Sequence, residues 1–181
     1  MKSSNIFWVG SVLCLAICGI GQASYIHGYV WDYTANFSET DNPAEDSEGN
    51  DTWEYRTGAY NVDPLNSTPA VWDGTVGGVG AWVGTAGSPD SSSWIGSGFM
   101  KVAGGGTNQT PFLAWISNVD SLVRVDITVS EATVRYSARV SQGNITVGEQ
   151  SGSSDDFHFS EYLTVQPGDR IFLSLTSVRP A

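Results

Sequence analysis

Between Val123 and Val140 nearly every second residue is apolar. Val123, Val125, Ile127 and Val129 alternate with Arg124, Asp126 and Thr128, and Ala132, Val134, Tyr136, Ala138 and Val140 alternate with Thr133, Arg135, Ser137 and Arg139. A strand sends successive side chains to opposite faces, so this period of two builds one apolar and one wet face; a helix would scatter the same residues around its circumference. Ser130-Glu131 is the natural place for a tight connection, which predicts that the two runs pair as a hairpin. The same period in Tyr29, Trp31, Tyr33, Ala35 and Phe37, against Val30, Asp32, Thr34, Asn36 and Ser38, predicts a half-buried strand with its aromatic rings inward.

Other segments extend the pattern. Pro111 to Ile116 is too short for a good helix and carries Trp115, and so reads as a strand buried on both faces. Phe157, Phe159, Leu163 and Val165 form an apolar series broken by Glu161, followed by Gln166-Pro167-Gly168-Asp169 and then Ile171, Leu173 and Leu175. Proline presets the first central torsion of a type II turn and glycine accepts the positive φ of the second, so the chain reverses there. From Gly74 to Gly106 the chain is rich in Gly and Ser with Trp82 and Trp94 embedded, which predicts short strands and long loops. Antiparallel strands with one apolar face must close those faces against a second layer, so the expected fold is all-β: an antiparallel two-sheet sandwich, jelly-roll-like.

The opening reads as an export signal. Lys2 precedes an apolar run from Ile6 to Ile20, shorter than the roughly 20 residues that span a bilayer, and Gly21-Gln22-Ala23 supplies small residues for cleavage before Ser24. The expected organisation is a signal peptide over 1–23 and one β-sandwich domain over 24–181, secreted or extracellular, with no membrane span after cleavage. Cys14 and Cys18 leave with the signal, so the domain must stand on packing without a disulfide. Nineteen acidic residues against eight basic ones give a net charge of −11, which repels nucleic acid and anionic membranes.

Tryptophan rings in turns can stack on the apolar face of a sugar while nearby polar groups meet its hydroxyls. Trp72, Trp82 and Trp94 are the candidates for such a carbohydrate-binding platform, with Asp73 beside Trp72 and Gly74 in the turn; Trp31, Trp53 and Trp115 read as core. Asp41, Asp46, Glu48 and Asp51 are candidate oxygen ligands for calcium, although Gly49 and the missing later glutamate depart from an EF-hand loop; the alternative reading is a solvated acidic loop. No other cofactor is expected. His27 and His158 are the only histidines and fall in no metal-binding spacing, and no nucleophile elbow or phosphate loop matches its template. The expectation is a protein that is not an enzyme, although paired carboxylates for glycoside hydrolysis leave little trace in sequence.

The stretches Tyr33-Thr34-Ala35-Asn36-Phe37-Ser38, Asn42-Pro43, Trp53-Glu54-Tyr55, Phe112-Leu113-Ala114-Trp115 and Leu163 to Ile171 resemble the N-terminal jelly-roll module of bacterial extracellular proteins of the PEP-CTERM-associated type, itself similar to carbohydrate-binding modules. The chain departs from that pattern in the acidic insert Glu45 to Asp51 and in lacking a sorting motif before Ala181. The resemblance implies a further strand after Arg170 to Thr176; either the protein is freely secreted or the sequence is a piece of a longer surface protein, which the missing strand favours. It also implies a non-catalytic module binding extracellular polysaccharide. The alternatives are a matrix-assembly protein that presents an edge strand to its partner and, behind it, a jelly-roll glycoside hydrolase or lyase.

Overall fold

The computed structural model describes residues 7–8, 15–17, 31–59, 62–74, 80–84, 93–102, 109–130, 136–153 and 156–177. In chain order the strands are β1 (Phe7–Trp8), β2 (Leu15–Ile17), β3 (Ala44–Glu45), β4 (Asp51–Ala59), β5 (Thr68–Pro69), β6 (Val71–Asp73), β7 (Ala81–Val83), β8 (Trp94–Gly96), β9 (Phe99–Lys101), β10 (Gln109–Ile116), β11 (Ser121–Val129), β12 (Tyr136–Gln142), β13 (Ile145–Ser153), β14 (Phe157–Val165) and β15 (Arg170–Ser177). Pro64–Asn66 forms a single 3-10 turn, started by the Asp63 carboxylate accepting from the Leu65 N–H. No helix among the described residues is long and apolar enough to cross a membrane.

A seven-stranded sheet in the order β13-β12-β15-β10-β4-β3, with β5 added beside β4, forms one layer. Two smaller sheets, β14-β11-β2 and β1-β9-β8-β7-β6, bring their apolar faces to the same core. The sandwich is therefore two-layered as expected, but its second layer is split into two sheets. Tyr55, Trp115, Leu173 and Val140 from the large sheet, Val125 and Phe159 from the first small sheet, and Trp82 and Ile95 from the second all belong to one buried cluster.

The second half of the chain is a nested set of antiparallel pairs. β12 pairs with β13, β11 with β14 and β10 with β15; β12 also pairs with β15 and closes the roll. A long hairpin folded over in this way, with its middle pair in the opposite layer, is a jelly-roll arrangement.

This pairing corrects the predicted hairpin. β11 and β12 are consecutive but lie in different sheets. Each has one apolar face, and those faces can close on each other only from opposite layers; side by side, both would look the same way and still need a cover. Ala132, Val134 and the proposed turn residue Glu131 lie outside the described residues.

The predicted strand over 29–38 is also corrected where it is described. Residues 33–36 form a turn: the Asp32 carboxylate accepts from the Thr34 N–H at 2.9 Å and the Thr34 hydroxyl at 2.7 Å, and the Asn36 N–H donates to the Asp32 carbonyl at 3.0 Å. An aspartate that binds its own backbone two residues on competes directly with a sheet ladder. Trp31 and Tyr33 are buried all the same, whereas Ala35 is exposed.

The strand expected at Pro111 to Ile116 is β10, central in the large sheet with β4 on one side and β15 on the other. The predicted reversal at Gln166 to Asp169 is present, with Gly168 at φ 91° and the Asp169 N–H donating to the Gln166 carbonyl at 3.0 Å. Of the expected signal peptide, the structure describes only β1, whose backbone pairs with β9, and β2, paired with β11. The proposed cleavage point before Ser24 lies outside the described residues.

Candidate functional site

The tryptophans expected to form a sugar platform do not share a surface. β7 places Trp82 inward, where its ring stacks on Tyr55 at 5.1 Å and 15° and its indole N–H donates to the Ser38 carbonyl at 2.8 Å. It is 4% exposed. Trp94 pairs across the β8–β9 ladder with Lys101, on the opposite face of the same small sheet, and belongs to a separate buried cluster with Ala81 and Phe99. The Lys101 ammonium lies 3.6 Å from the centre of its ring, a cation–π contact that further covers it. Trp82 and Trp94 are thus corrected from exposed platform to packed interior. The Gly- and Ser-rich sequence around them signalled turns, but not what the rings between those turns would cover.

Trp72, on the edge strand β6, remains partly exposed, as does Asp73. Its ring meets Trp82 edge-on at 5.6 Å and Phe37 at 6.0 Å. Gly80 lies beneath it with φ +70°, and a Cβ there would fall 2.5 Å from Trp72 Cζ2, so both the backbone and the ring require glycine at this position. Trp72 is the rim of an aromatic cluster that includes Tyr33, Phe37, Trp53, Tyr55 and Trp82. Asn42 fastens that cluster to the sheet, its amide donating to the Tyr55 carbonyl at 2.8 Å and accepting from the Tyr55 N–H at 2.9 Å, beside the cis Asn42–Pro43 peptide.

The acidic stretch is the connection of the β3–β4 hairpin. Asp46 is buried, and its Oδ1 accepts from the Glu48 N–H at 2.9 Å and the Asn50 N–H at 3.0 Å. Burial opposes ionisation of this carboxyl, but the Asn50 and Glu48 N–H groups outweigh it and hold the group below its ordinary range. Asp41 is occupied by the hydroxyls of Ser38 at 3.0 Å and Thr40 at 2.8 Å, while Glu48 and Asp51 are exposed. Among the described residues no three His, Cys, Asp or Glu side chains gather as a metal site. Of the calcium candidates, Asp46, Glu48 and Asp51 lie along the hairpin and Asp41 precedes it, and the buried Asp46 accepts the hairpin's own N–H groups.

A different surface collects polar groups. On the outer face of the large sheet, Ser137 and Arg139 of β12, Glu149 and Ser151 of β13, and Ser174 and Thr176 of β15 surround a concavity of about 110 Å³. Phe112, Val62 and Pro64 form its apolar side. Arg139 Nη2 lies 3.5 Å from Glu149 Oε1, with the two side chains 44% and 42% exposed, and the Ser151 hydroxyl donates to the same Glu149 oxygen at 3.1 Å. Beyond Phe112 the same face carries a more buried ion-pair network, in which Glu54 meets Arg56 through Oε1 and Arg170 Nε through Oε2 at 2.9 Å. Arg56 in turn donates to the Ser67 hydroxyl and carbonyl.

This groove was half legible in the sequence. Alternation places Ser137 and Arg139 on the wet face of their strand; it does not do so for Glu149, which falls where Ile145 and Val147 predict an apolar residue, because the β12–β13 register shifts between Val140 and Ser141. His158 is exposed, with Nδ1 3.3 Å from the Thr128 hydroxyl, and lies on another strand, away from the groove lining. No protein family, no curated protein and no solved structure matches this chain.

Proposed function

We propose that the protein is a secreted or cell-surface, non-catalytic module that binds polysaccharide in the outer-face groove between β10, β12, β13 and β15. The observation that carries this reading is the chemistry of the lining. A sugar presents hydroxyls that donate and accept together with an apolar C–H face, and the groove offers a guanidinium donor, a carboxylate acceptor and hydroxyls of both kinds beside an apolar wall. These groups stand on paired strands, which hold them more firmly than a loop would. Glu149 is the one carboxylate among the described lining residues, and hydrolysis of a glycosidic bond by the usual route uses two, so the lining favours binding over cleavage. The likeness of the sequence to extracellular jelly-roll modules points the same way.

Affinity electrophoresis against a polysaccharide panel tests the reading. Wild-type protein is expected to be retarded by at least one polymer, and Arg139→Ala to weaken that retardation by about tenfold, as loss of a hydrogen bond from a charged group does. Trp72→Ala, at the other surface, should leave it unchanged. Equal retardation of wild type and Arg139→Ala, or no retardation by any polymer, would defeat the reading.

A second reading is assembly through a sheet edge. β13 ends the large sheet, and its Ile145 is 68% exposed. Growth of scattered light with protein concentration, abolished by Ile145→Lys, is the outcome expected of it.

A further inference from the structure

We infer that the groove selects neutral sugars and rejects uronates and sulfated glycans, an inference that rests on the polysaccharide reading above. Recognition of an anionic sugar calls for a cation free to meet it, typically the fork of an arginine. Every described arginine is already engaged by a carboxylate. Arg139 lies 3.5 Å from Glu149 inside the groove. On the same face of the sheet Arg56 and Arg170 share Glu54, and Arg124, on β11, meets Asp126 at 2.9 Å. The described lysine, Lys101, is 4% exposed and lies over the Trp94 ring.

The field of the whole chain acts in the same direction. With a net charge of −11, a polyanion is repelled before it reaches the groove, and nothing in the described lining reverses that sign. A neutral sugar avoids the repulsion. It can also use both members of the Arg139–Glu149 pair, one hydroxyl accepting from the guanidinium while another donates to the carboxylate.

If Glu149 masks Arg139, removing its charge should change the class of ligand. Glu149 stands on an edge strand with its side chain 42% exposed, so Glu149→Gln should fold normally. Affinity electrophoresis of wild type and Glu149→Gln is run against neutral glucans and galactomannans, polygalacturonate and dextran sulfate, at low and at high sodium chloride. The wild type is expected to be retarded by a neutral polymer only, to the same degree at both salt concentrations. Glu149→Gln should gain retention on polygalacturonate by about tenfold at low salt, the worth of one hydrogen bond to a freed guanidinium, and lose the gain at high salt. Wild-type retention on either polyanion overturns the inference but leaves the polysaccharide reading standing. So does retention of wild type on a neutral polymer with no gain by Glu149→Gln. Retention on no polymer of either kind overturns both.

Discussion

At the scale of single residues, ionisable groups set where the fold is most stable along the pH axis. Asp46 is held below its ordinary value of 3.8 by the hairpin's N–H groups, so the folded state takes up this proton less readily than the unfolded chain. Its contribution is complete above that ordinary value and is lost as pH falls through the lower folded one. Asp46→Ala is expected to cost about 1–2 kcal/mol at neutral pH, read as a lower urea midpoint, and to flatten the loss of stability below pH 3.8. The tyrosines act at the other end. Burial raises Tyr33 well above 10.0, with the neighbouring Tyr55 adding to it, and burial raises Tyr55 against the opposing Ser38 N–H. An acid whose folded value is raised stabilises the fold fully below its unfolded value and loses that contribution as pH climbs toward the folded one. Alkaline melting should therefore set in above pH 10.0, together with the ultraviolet signal of tyrosinate, and Tyr55→Phe should remove part of the slope.

At the scale of elements, the layers are locked together by close contact. Gly148 of β13 faces Phe159 of β14 across the sandwich, and a Cβ added at Gly148 would fall 2.4 Å from the Phe159 ring. Gly148→Ala is expected to cost about 1–3 kcal/mol by overpacking. Phe159→Leu in the same chain should recover part of that cost, a coupling that chemical denaturation of the two single variants and the double variant would measure. Elements also show how far the sequence could be read. Alternation named the buried faces of β11, β12 and β14 correctly, because a period of two reports which side of a strand is dry. It carries no information about which strand lies alongside, so it pairs β11 with β12 whereas the layers pair β11 with β14. Where a side chain binds its own backbone, as Asp32 does, the aromatic periodicity of Trp31, Tyr33 and Phe37 survives in a turn and imitates a strand. The candidate site was less legible still. Its groups come from β12, β13 and β15, which are brought together only by the nesting of the chain, while the more conspicuous Trp82 and Trp94 went to the interior.

At the scale of the whole molecule, the main aromatic and aliphatic core is shared by both layers. Trp115 is fully buried at the centre of the large sheet and meets Trp31 edge-on at 5.2 Å. Trp115→Ala is expected to cost about 3–5 kcal/mol. Against a total of about 5–15 kcal/mol for an ordinary domain, that loss should lower the thermal midpoint steeply, as scanning calorimetry would show, or abolish folding.

The position of β15 between β10 and β12 has a consequence for synthesis. It is the last described strand to be made, yet it fills the gap between two strands made long before it. Until Arg170 to Ser177 emerge, β10 and β12 each hold an open backbone edge that a neighbouring chain could occupy. A nascent chain that stalls just short of this segment therefore lacks Ile171, Leu173 and Leu175 from its core as well as the middle of its ladder, and its safety depends on how quickly β15 arrives.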